Sequence, residues 1–532
     1  MDKSKGYQLY FSSYSSINST SKRQRNLLSM NWTSLLLLTI FLSIANAVNG
    51  LPCPGGCTCD DDTYVVTCER GKLDVIPITL NPAIQRLVLK NNKIRTVDAA
   101  FQFYRDLLYV DLSYNHLGNI PKTSFTNQGK LQELHLNKNR VSSISNTTFQ
   151  GLKSLTVLNL RENFIDELPR GIFSILPKLE ELNLGQNRIS KIDALAFEGL
   201  LALRVLYLDD NLLTTVPTAS FSVLPSLAEL HVGLNGFTVL PDDAFKGLEK
   251  LSVLDLSSAG LSNVSIDAFR GLNGLRSLNL ADNKLNHVPT AQLSHLSRLE
   301  ELVIGQNEFT IIEKNSFKGL TNLRKLDVTS ATELQTIEKG AFSSNLNIET
   351  INFVSNKKLD TIEDGALVGL PNLKHLILKE NSLKSLSEAM VSYSELHSFE
   401  LTDNLIHCDC QLLFLSNLMS VKMKNITVQC ATPLHLKDRP LRTLTADDLG
   451  CSFTDPRQQA ILVTLCVSAI VLLGGLGLFL FRYRQRVREA LKDYKWNKRA
   501  ISRKEHEYQK TFSDDDYIMR QHNIKPIPVT EL

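Results

Sequence analysis

One pattern of residues recurs through most of this chain and limits what it can fold into. Two apolar residues separated by one position are followed three residues later by asparagine, as in Leu87, Leu89 and Asn92. From Asn115 to Asn235 the asparagine returns every 24 residues. A repeat of this length cannot bury its own apolar face, so successive repeats must stack side by side. The chain is therefore predicted to form a solenoid.

The asparagine position recurs in fourteen repeats, and two of them carry alanine instead, at Ala259 and Ala331. An asparagine amide both donates and accepts hydrogen bonds, so it can satisfy buried backbone groups in the turn after each strand. Alanine cannot, and we expect local irregularity at these two repeats. Phenylalanine also recurs every 24 residues from Phe125 to Phe269, which is typical of a packed core rather than of a cofactor site.

The two apolar residues of each repeat have the spacing of a short strand, in which alternate side chains point to the same side. Residues 76–405 are predicted to contain the fourteen repeats. We expect an α/β-type solenoid, curved like a horseshoe, whose parallel strands form a sheet on the concave side.

Eight of the nine cysteines lie in two groups of four at the ends of the repeats. The groups are Cys53, Cys57, Cys59 and Cys68, and Cys408, Cys410, Cys430 and Cys451. In an oxidising compartment each group forms disulfides with three possible connectivities, although the first group could instead bind zinc. We place disulfide caps for the end repeats at residues 48–75 and 406–453.

Two apolar stretches indicate a membrane protein. Residues 1–47 are predicted to be a signal peptide with a possible extension upstream of Met30, and an uncleaved anchor is the alternative. Residues 460–481 lack charges and as a helix would span about 33 Å, enough for a bilayer core. The stretch from Arg482 to Lys504 contains ten basic and two acidic residues. This excess of positive charge places the segment in the cytoplasm, and we predict a short disordered tail at 482–532. We expect a single-pass type I protein of the plasma membrane.

A binding surface is predicted on the sheet, where the residue between the two strand apolar positions points outward. In the central repeats these residues are Tyr207, His231 and Asp255. Tyrosine is favoured at interfaces because it buries area and keeps a hydroxyl. We assign partner binding to these three residues. The alternatives are an ordinary solvated surface, or a convex or lateral face used for dimerisation.

Glycosylation sequons occur at Asn146, Asn263 and Asn425 and predict surface that faces solvent. The net charge of +3 gives no overall field that would attract nucleic acid. Neither a His-x-x-x-His metal pair nor a Gly-x-Ser-x-Gly nucleophile turn stands out. We expect no enzyme activity, no cofactor, no metal and no nucleic-acid partner.

The order of these segments resembles that of the extracellular leucine-rich-repeat receptors with one transmembrane span. Its fourteen repeats and short tail are most similar to the invertebrate Capricious/Tartan type of cell-recognition proteins. The resemblance implies disulfides Cys53–Cys59 and Cys57–Cys68, and Cys408–Cys430 and Cys410–Cys451. It also implies recognition between cells, with an extracellular protein or the same protein on another cell as the partner.

The last residues resemble a class I ligand of PDZ domains, which add an extended C-terminus to a sheet edge. Leu532 would occupy the apolar pocket, and Thr530 would donate or accept a hydrogen bond two positions earlier. A cytoplasmic PDZ protein is therefore an expected partner. The first functional hypothesis is an adhesion receptor. The second is a co-receptor that captures a soluble ligand and modulates another receptor.

Overall fold

A computed structural model describes residues 53–97, 99–421, 427–451 and 456–510 of the chain. They divide into two compact units. The first contains the repeats as far as His407, with Leu418–Pro440; the second contains Cys408–Asn417 and the chain from Leu441 onward. The predicted signal peptide at 1–47 lies outside the described residues.

A single sheet of sixteen strands runs through the repeats in chain order. Only its first pair, β1 with β2, is antiparallel, and all later neighbours are parallel. Numbered in chain order, the strands of this sheet are β1 (Thr58–Asp60), β2 (Val65–Thr67), β3 (Arg86–Val88), β4 (Tyr109–Asp111), β5 (Glu133–His135), β6 (Val157–Asn159), β8 (Glu181–Asn183), β10 (Val205–Tyr207), β11 (Glu229–His231), β13 (Val253–Asp255), β15 (Ser277–Asn279), β16 (Glu301–Val303), β18 (Lys325–Asp327), β20 (Thr350–Asn352), β22 (His375–Ile377) and β23 (Ser398–Glu400).

Each repeat strand has three residues, and its middle residue points into the solenoid. In β10, Leu206 is fully buried, whereas Val205 and Tyr207 on either side are partly exposed. Burying a leucine side chain contributes roughly 2 kcal/mol, and the same position is filled in every repeat. The predicted α/β-type solenoid with a parallel sheet is confirmed.

The asparagines join neighbouring repeats through their side-chain amides. Asn187 donates from Nδ2 to the carbonyl oxygens of Leu160 and Leu184, both at 3.0 Å, and its Oδ1 accepts from the Ile165 amide at 3.1 Å. These backbone groups are buried and have no strand partner, so the asparagine removes the cost of leaving them unpaired.

The two alanine repeats behave differently from each other. At Ala259 the expected irregularity does not reach the sheet. Its amide donates to Oδ1 of Asn283 at 3.1 Å, and the Leu261 amide donates to the same oxygen at 2.9 Å, the contact that Ile165 makes with Asn187. The strands on both sides keep their register. At Ala331 the amide also donates to the next asparagine, Asn356, at 2.7 Å. The Nδ2 of Asn356, however, is buried without a hydrogen-bond partner, so the pattern is disturbed there.

The return side of the repeats is held by the phenylalanine column and by short elements. The Phe173 ring stacks on Phe149 at 6.1 Å and on Phe197 at 6.2 Å between centroids. Three small parallel sheets lie on this side: β7 (Glu167–Leu168) with β9 (Lys191–Ile192), β12 (Val239–Leu240) with β14 (Asn263–Val264), and β17 (Ile311–Ile312), β19 (Thr336–Ile337) and β21 (Thr361–Ile362).

Helices are few within the repeats and long after them. The α-helices are α1 (Thr218–Phe221), α2 (Thr290–Leu293), α3 (Leu413–Val421), α4 (Pro456–Arg482) and α5 (Arg484–Lys510). The 3-10 helices are Ala99–Phe103, Tyr393–Glu395, Cys410–Leu412, Leu434–Leu436 and Leu441–Thr443.

Disulfides lie near both ends of the repeats. Cys53 is bonded to Cys59 and Cys57 to Cys68, which are the pairs that the resemblance implies. The zinc alternative does not hold, because a thiol used in a disulfide cannot ligate the metal. Cys410 is bonded to Cys451. Cys408 and Cys430, the other two cysteines of this group, are also disulfide-bonded.

The described residues contain one helix that is long and apolar enough to cross a membrane, Ala460–Arg482, with mean hydropathy 2.6 over its most apolar window. It lies within α4 and matches the predicted segment 460–481. The expectation of a disordered tail is wrong for residues 484–510, which form α5. Lysine, arginine and glutamate are frequent there, and these residues favour helix even without a packed face.

Candidate recognition surface on the sheet

The outward side chains of the sixteen-stranded sheet form a continuous surface. We define the sheet face as the first and third residues of each repeat strand together with the second and third residues after it. In the β10 repeat these are Val205, Tyr207, Asp209 and Asp210, all at least partly exposed. Rigid strands present these side chains at regular spacing, so this surface can bind a large partner without rearranging its backbone.

The three residues predicted to bind a partner lie side by side on the sheet face. Tyr207, His231 and Asp255 pair across β10, β11 and β13 in direct register. The Tyr207 and His231 rings stack with centroids 4.6 Å apart and planes 14° apart. Nδ1 of His231 lies 3.7 Å from Oδ2 of Asp255. The three side chains therefore form one aromatic and polar cluster.

Charge in this cluster is set by Asp255. Burial by itself raises the pKa of its carboxyl group, but the nearby His231 imidazole and the backbone and side chain of Ser257 outweigh burial, and the pKa is lowered. The Ser257 amide donates to Oδ1 of Asp255 at 3.0 Å. Asp255 is thus held as a carboxylate beside the imidazole at neutral pH.

The aromatic part of the cluster is also constrained by its surroundings. Burial, followed by the charges of Glu181, Glu229 and Asp209, raises the pKa of the Tyr207 hydroxyl. Nε2 of His231 is buried and has no hydrogen-bond partner. Leaving such a group unpaired costs free energy.

An ion pair that the sequence analysis missed lies beside this cluster. Arg161 donates from Nη1 and Nη2 to the two carboxylate oxygens of Asp209, at 3.0 and 2.8 Å, and from Nε to Gln186 at 3.0 Å. The arginine crosses the intervening repeat at Gly185, where a Cβ would lie 2.3 Å from Nη1 of Arg161. A bidentate pair of this kind fixes both side chains.

The middle of the sheet face is acidic. Across β8, β10, β11, β13 and β15 its carboxylates are Glu181, Asp209, Asp210, Glu229, Asp255 and Asp282. No lysine or arginine occupies the sheet face of these five strands, and Arg161 on the preceding strand neutralises only Asp209. The field of such a surface favours the approach of a positively charged partner.

Glycosylation sequons lie away from this surface where the structure describes them. Asn146 is exposed in a turn before Phe149, and Asn263 is exposed in β14 on the return side. Asn425, and the proposed PDZ-ligand residues Thr530 and Leu532, lie outside the described residues. Within the described ranges, no three His, Cys, Asp or Glu side chains are grouped so that they could hold a metal ion.

The disulfides near the ends of the repeats and the one apolar helix indicate a membrane-anchored extracellular protein. Disulfides persist in the oxidising environment outside the cell, and a helix of 23 residues is long enough to span a bilayer.

The chain matches the family model described as "Leucine rich repeat" in seven overlapping segments that together span residues 105–406, more than half of its length. Reticulon-4 receptor-like 2 of Homo sapiens is 36% identical over 106 residues, which cover 20% of this chain and 24% of that protein. Leucine-rich repeat-containing protein 3B of Danio rerio is 32% identical over 117 residues, covering 21% of this chain and 45% of that protein. The matched region therefore spans less than half of each relative.

Among solved structures, the crystal structure of the TLR13–ssRNA13 complex aligns with a TM-score of 0.53 and 25% identity. The alignment covers 66% of this chain and 58% of that chain. Over its repeats the chain is thus related to receptor-like proteins.

Proposed function

Because the chain belongs to the leucine-rich-repeat family, we propose that it is a cell-surface receptor that recognises an extracellular protein through its sheet face. The observation that carries this proposal is the stacked pair of Tyr207 and His231, joined to Asp255, at the centre of that face. Aromatic side chains on a rigid surface are the usual anchors of protein interfaces because they bury large area at little cost in entropy.

The chemistry around this cluster defines the partner. The carboxylates of the five central strands require a positively charged protein surface opposite them. Tyr207 requires an apolar or aromatic side chain at the centre of that partner surface. The exposed sequons Asn146 and Asn263 support this choice of face, because glycans at these positions would leave the sheet free. The acidic field accelerates association with such a partner and disfavours acidic ones.

We further propose that recognition takes place between cells. The protein would be a single-pass type I protein of the plasma membrane, with its repeats outside and α5 inside. Its partner would be an extracellular protein or the same protein on another cell, as in the Capricious/Tartan type that its architecture resembles. The C-terminal contact of Thr530 and Leu532 with a cytoplasmic PDZ protein stays a prediction.

The proposal is tested by mixing suspended cells that display the full-length chain with one another and with cells of other types. We expect displaying cells to aggregate with one another or with cells of one other type, and we expect the double variant Tyr207→Ala, His231→Ala to lose aggregation at the same surface level. His135→Ala is the matched control, because His135 also ends a strand on the sheet face and contacts a carboxylate, Glu133, at 3.3 Å.

Aggregation that is equal in the double variant and in the wild type would contradict recognition through this cluster. The second hypothesis, a co-receptor, predicts a different result. Its cells would not aggregate, but a soluble basic ligand would bind them and change the signal of another receptor, and Tyr207→Ala would reduce that binding.

A further inference from the structure

The beginning of the repeats carries a surface cavity that the recognition cluster does not use. It has a volume of about 540 Å³ and is lined chiefly by Arg70, Lys72, Lys93, His116, Tyr114 and Lys138. These residues come from the segment before β3 and from the turns after β3, β4 and β5. Strands of neighbouring repeats lie about 4.8 Å apart, so the cavity runs for roughly 14 Å along the solenoid.

Most of the positive charge in this cavity is uncompensated. Among the lining residues that the structure describes, only Lys138 forms an ion pair, with Glu162 at 3.0 Å. Arg70, Lys72 and Lys93 are exposed and form no ion pair with any described residue. Cations gathered in one concave surface reinforce one another's field and attract an anion with several charges.

The lining also restricts the kind of anion. No aliphatic side chain lines the cavity, so an acidic protein segment would find no apolar anchor of the kind that protein interfaces use. Cations already contact the aromatic rings nearby: Lys138 and Lys90 lie 4.8 and 5.5 Å from the Tyr114 centroid, and Arg86 lies 3.5 Å from that of Tyr109. Tyr114 and His116 are nevertheless exposed in the lining and could stack on bases, so polyuridylic acid is included as a competing anion in the test.

We propose that this cavity binds the sulfate groups of an acidic polysaccharide at the cell surface. A sulfated polysaccharide is hydrated and densely charged, and needs neither an apolar pocket nor a stacking platform. Lysine and arginine side chains can make charge-assisted hydrogen bonds to several of its sulfates in turn. The site goes beyond protein recognition and does not rest on it, because it uses the turns around β3 to β5 rather than the cluster on β10 to β13.

The test uses the detergent-solubilised full-length chain and heparin as the probe. A cavity variant combines Arg70→Asn, Lys72→Asn and Lys93→Gln. Asparagine is chosen at the first two positions because both have left-handed backbone, with φ of 57° and 60°, which asparagine tolerates. A control variant, Lys246→Gln, Lys250→Gln and Lys318→Gln, removes the same charge from exposed lysines on the return side.

We expect heparin affinity to fall about tenfold or more in the cavity variant, because three exposed contacts are lost, and to change less than about twofold in the control. Unchanged thermal unfolding of both variants would show that the fold is intact. Equal heparin binding by the cavity variant and the wild type would overturn the proposal. Two other results would also overturn it. The wild type could bind desulfated heparin as tightly as heparin, or it could bind polyuridylic acid or polyglutamate more tightly than heparin; each result would assign the cavity to a different anion.

Discussion

Arg161 holds both carboxylate oxygens of Asp209, 48 residues and two repeats further along the chain, at 3.0 and 2.8 Å. The contact crosses one whole repeat of the sheet face and links the basic beginning of the face to its acidic middle. It exists because Gly185 has no side chain, so the guanidinium can pass over the intervening strand. The absence of a side chain at Gly185 thus permits the ion pair next to the Tyr207 cluster.

Gly185→Ala tests this relationship. The new Cβ would lie 2.3 Å from Nη1 of Arg161 and 2.6 Å from Oδ1 of Asp209, so the pair must open. We expect the free energy of unfolding to fall by about 1–2 kcal/mol, the value of a partly buried bidentate pair. Gly118→Ala is the control, because a Cβ there meets no atom within 4 Å. Equal stability of the two variants would show that the pair contributes nothing.

Asn187→Ala tests the asparagine column. It removes hydrogen bonds to Leu160, Leu184 and Ile165 in a buried turn. We expect a loss of about 2–4 kcal/mol in the free energy of unfolding, measured by chemical denaturation, because several buried backbone groups lose their partner. Asn119→Ala, at an exposed asparagine, should change stability by less than about 0.5 kcal/mol. A loss at Asn187 as small as this would contradict the assigned role.

The repeat period explains why the cluster could be predicted and the ion pair could not. Residues one period apart occupy equivalent places on neighbouring parallel strands, so Tyr207, His231 and Asp255 had to be adjacent. The contact of Arg161 with Asp209 depends instead on how far a side chain reaches over a glycine. A possible signal was the spacing of 48 residues, two periods, with glycine at the equivalent place between them.

Two other features escaped prediction for related reasons. The sheet keeps its register through Ala259, which residue type alone could not reveal because pairing with the strands on either side holds the repeat in place. The basic cavity is built largely from turn positions flanking the asparagines, which the repeat pattern does not mark as binding residues. Arg70 and Lys72 are close in the chain, but Lys93 and Lys138 come near them only when the repeats stack.

Acidification tests the environment of Asp255. Hydrogen bonds hold the pKa of this carboxyl below its ordinary value of 3.8 despite burial. A carboxyl group whose pKa is lower in the folded than in the unfolded state stabilises the fold above the unfolded pKa, and this contribution is lost as pH falls through the folded pKa. We expect the stability advantage of the wild type over Asp255→Asn to shrink as pH falls below about 4.

Urea unfolding at a series of pH values measures this advantage. The same comparison is made in proteins that carry His231→Gln, which removes the imidazole beside the carboxylate. The stability advantage of Asp255 over Asn at this position should then be smaller at every pH. An advantage that grows as pH falls below about 4 would mean that the pKa of Asp255 is raised rather than lowered.

The central claim, recognition through the sheet face, is tested most directly by placing a glycan on that face. Ala281→Thr creates a sequon at Asn279, two strands beyond His231, without altering the Tyr207 cluster. Arg324→Thr creates a matched sequon at the exposed Asn322, outside the sheet face. Once a mobility shift shows that both glycans are attached, the aggregation of displaying cells is measured. We predict that the glycan at Asn279 abolishes aggregation and that the glycan at Asn322 leaves it intact; wild-type aggregation with a glycan at Asn279 would contradict the proposal.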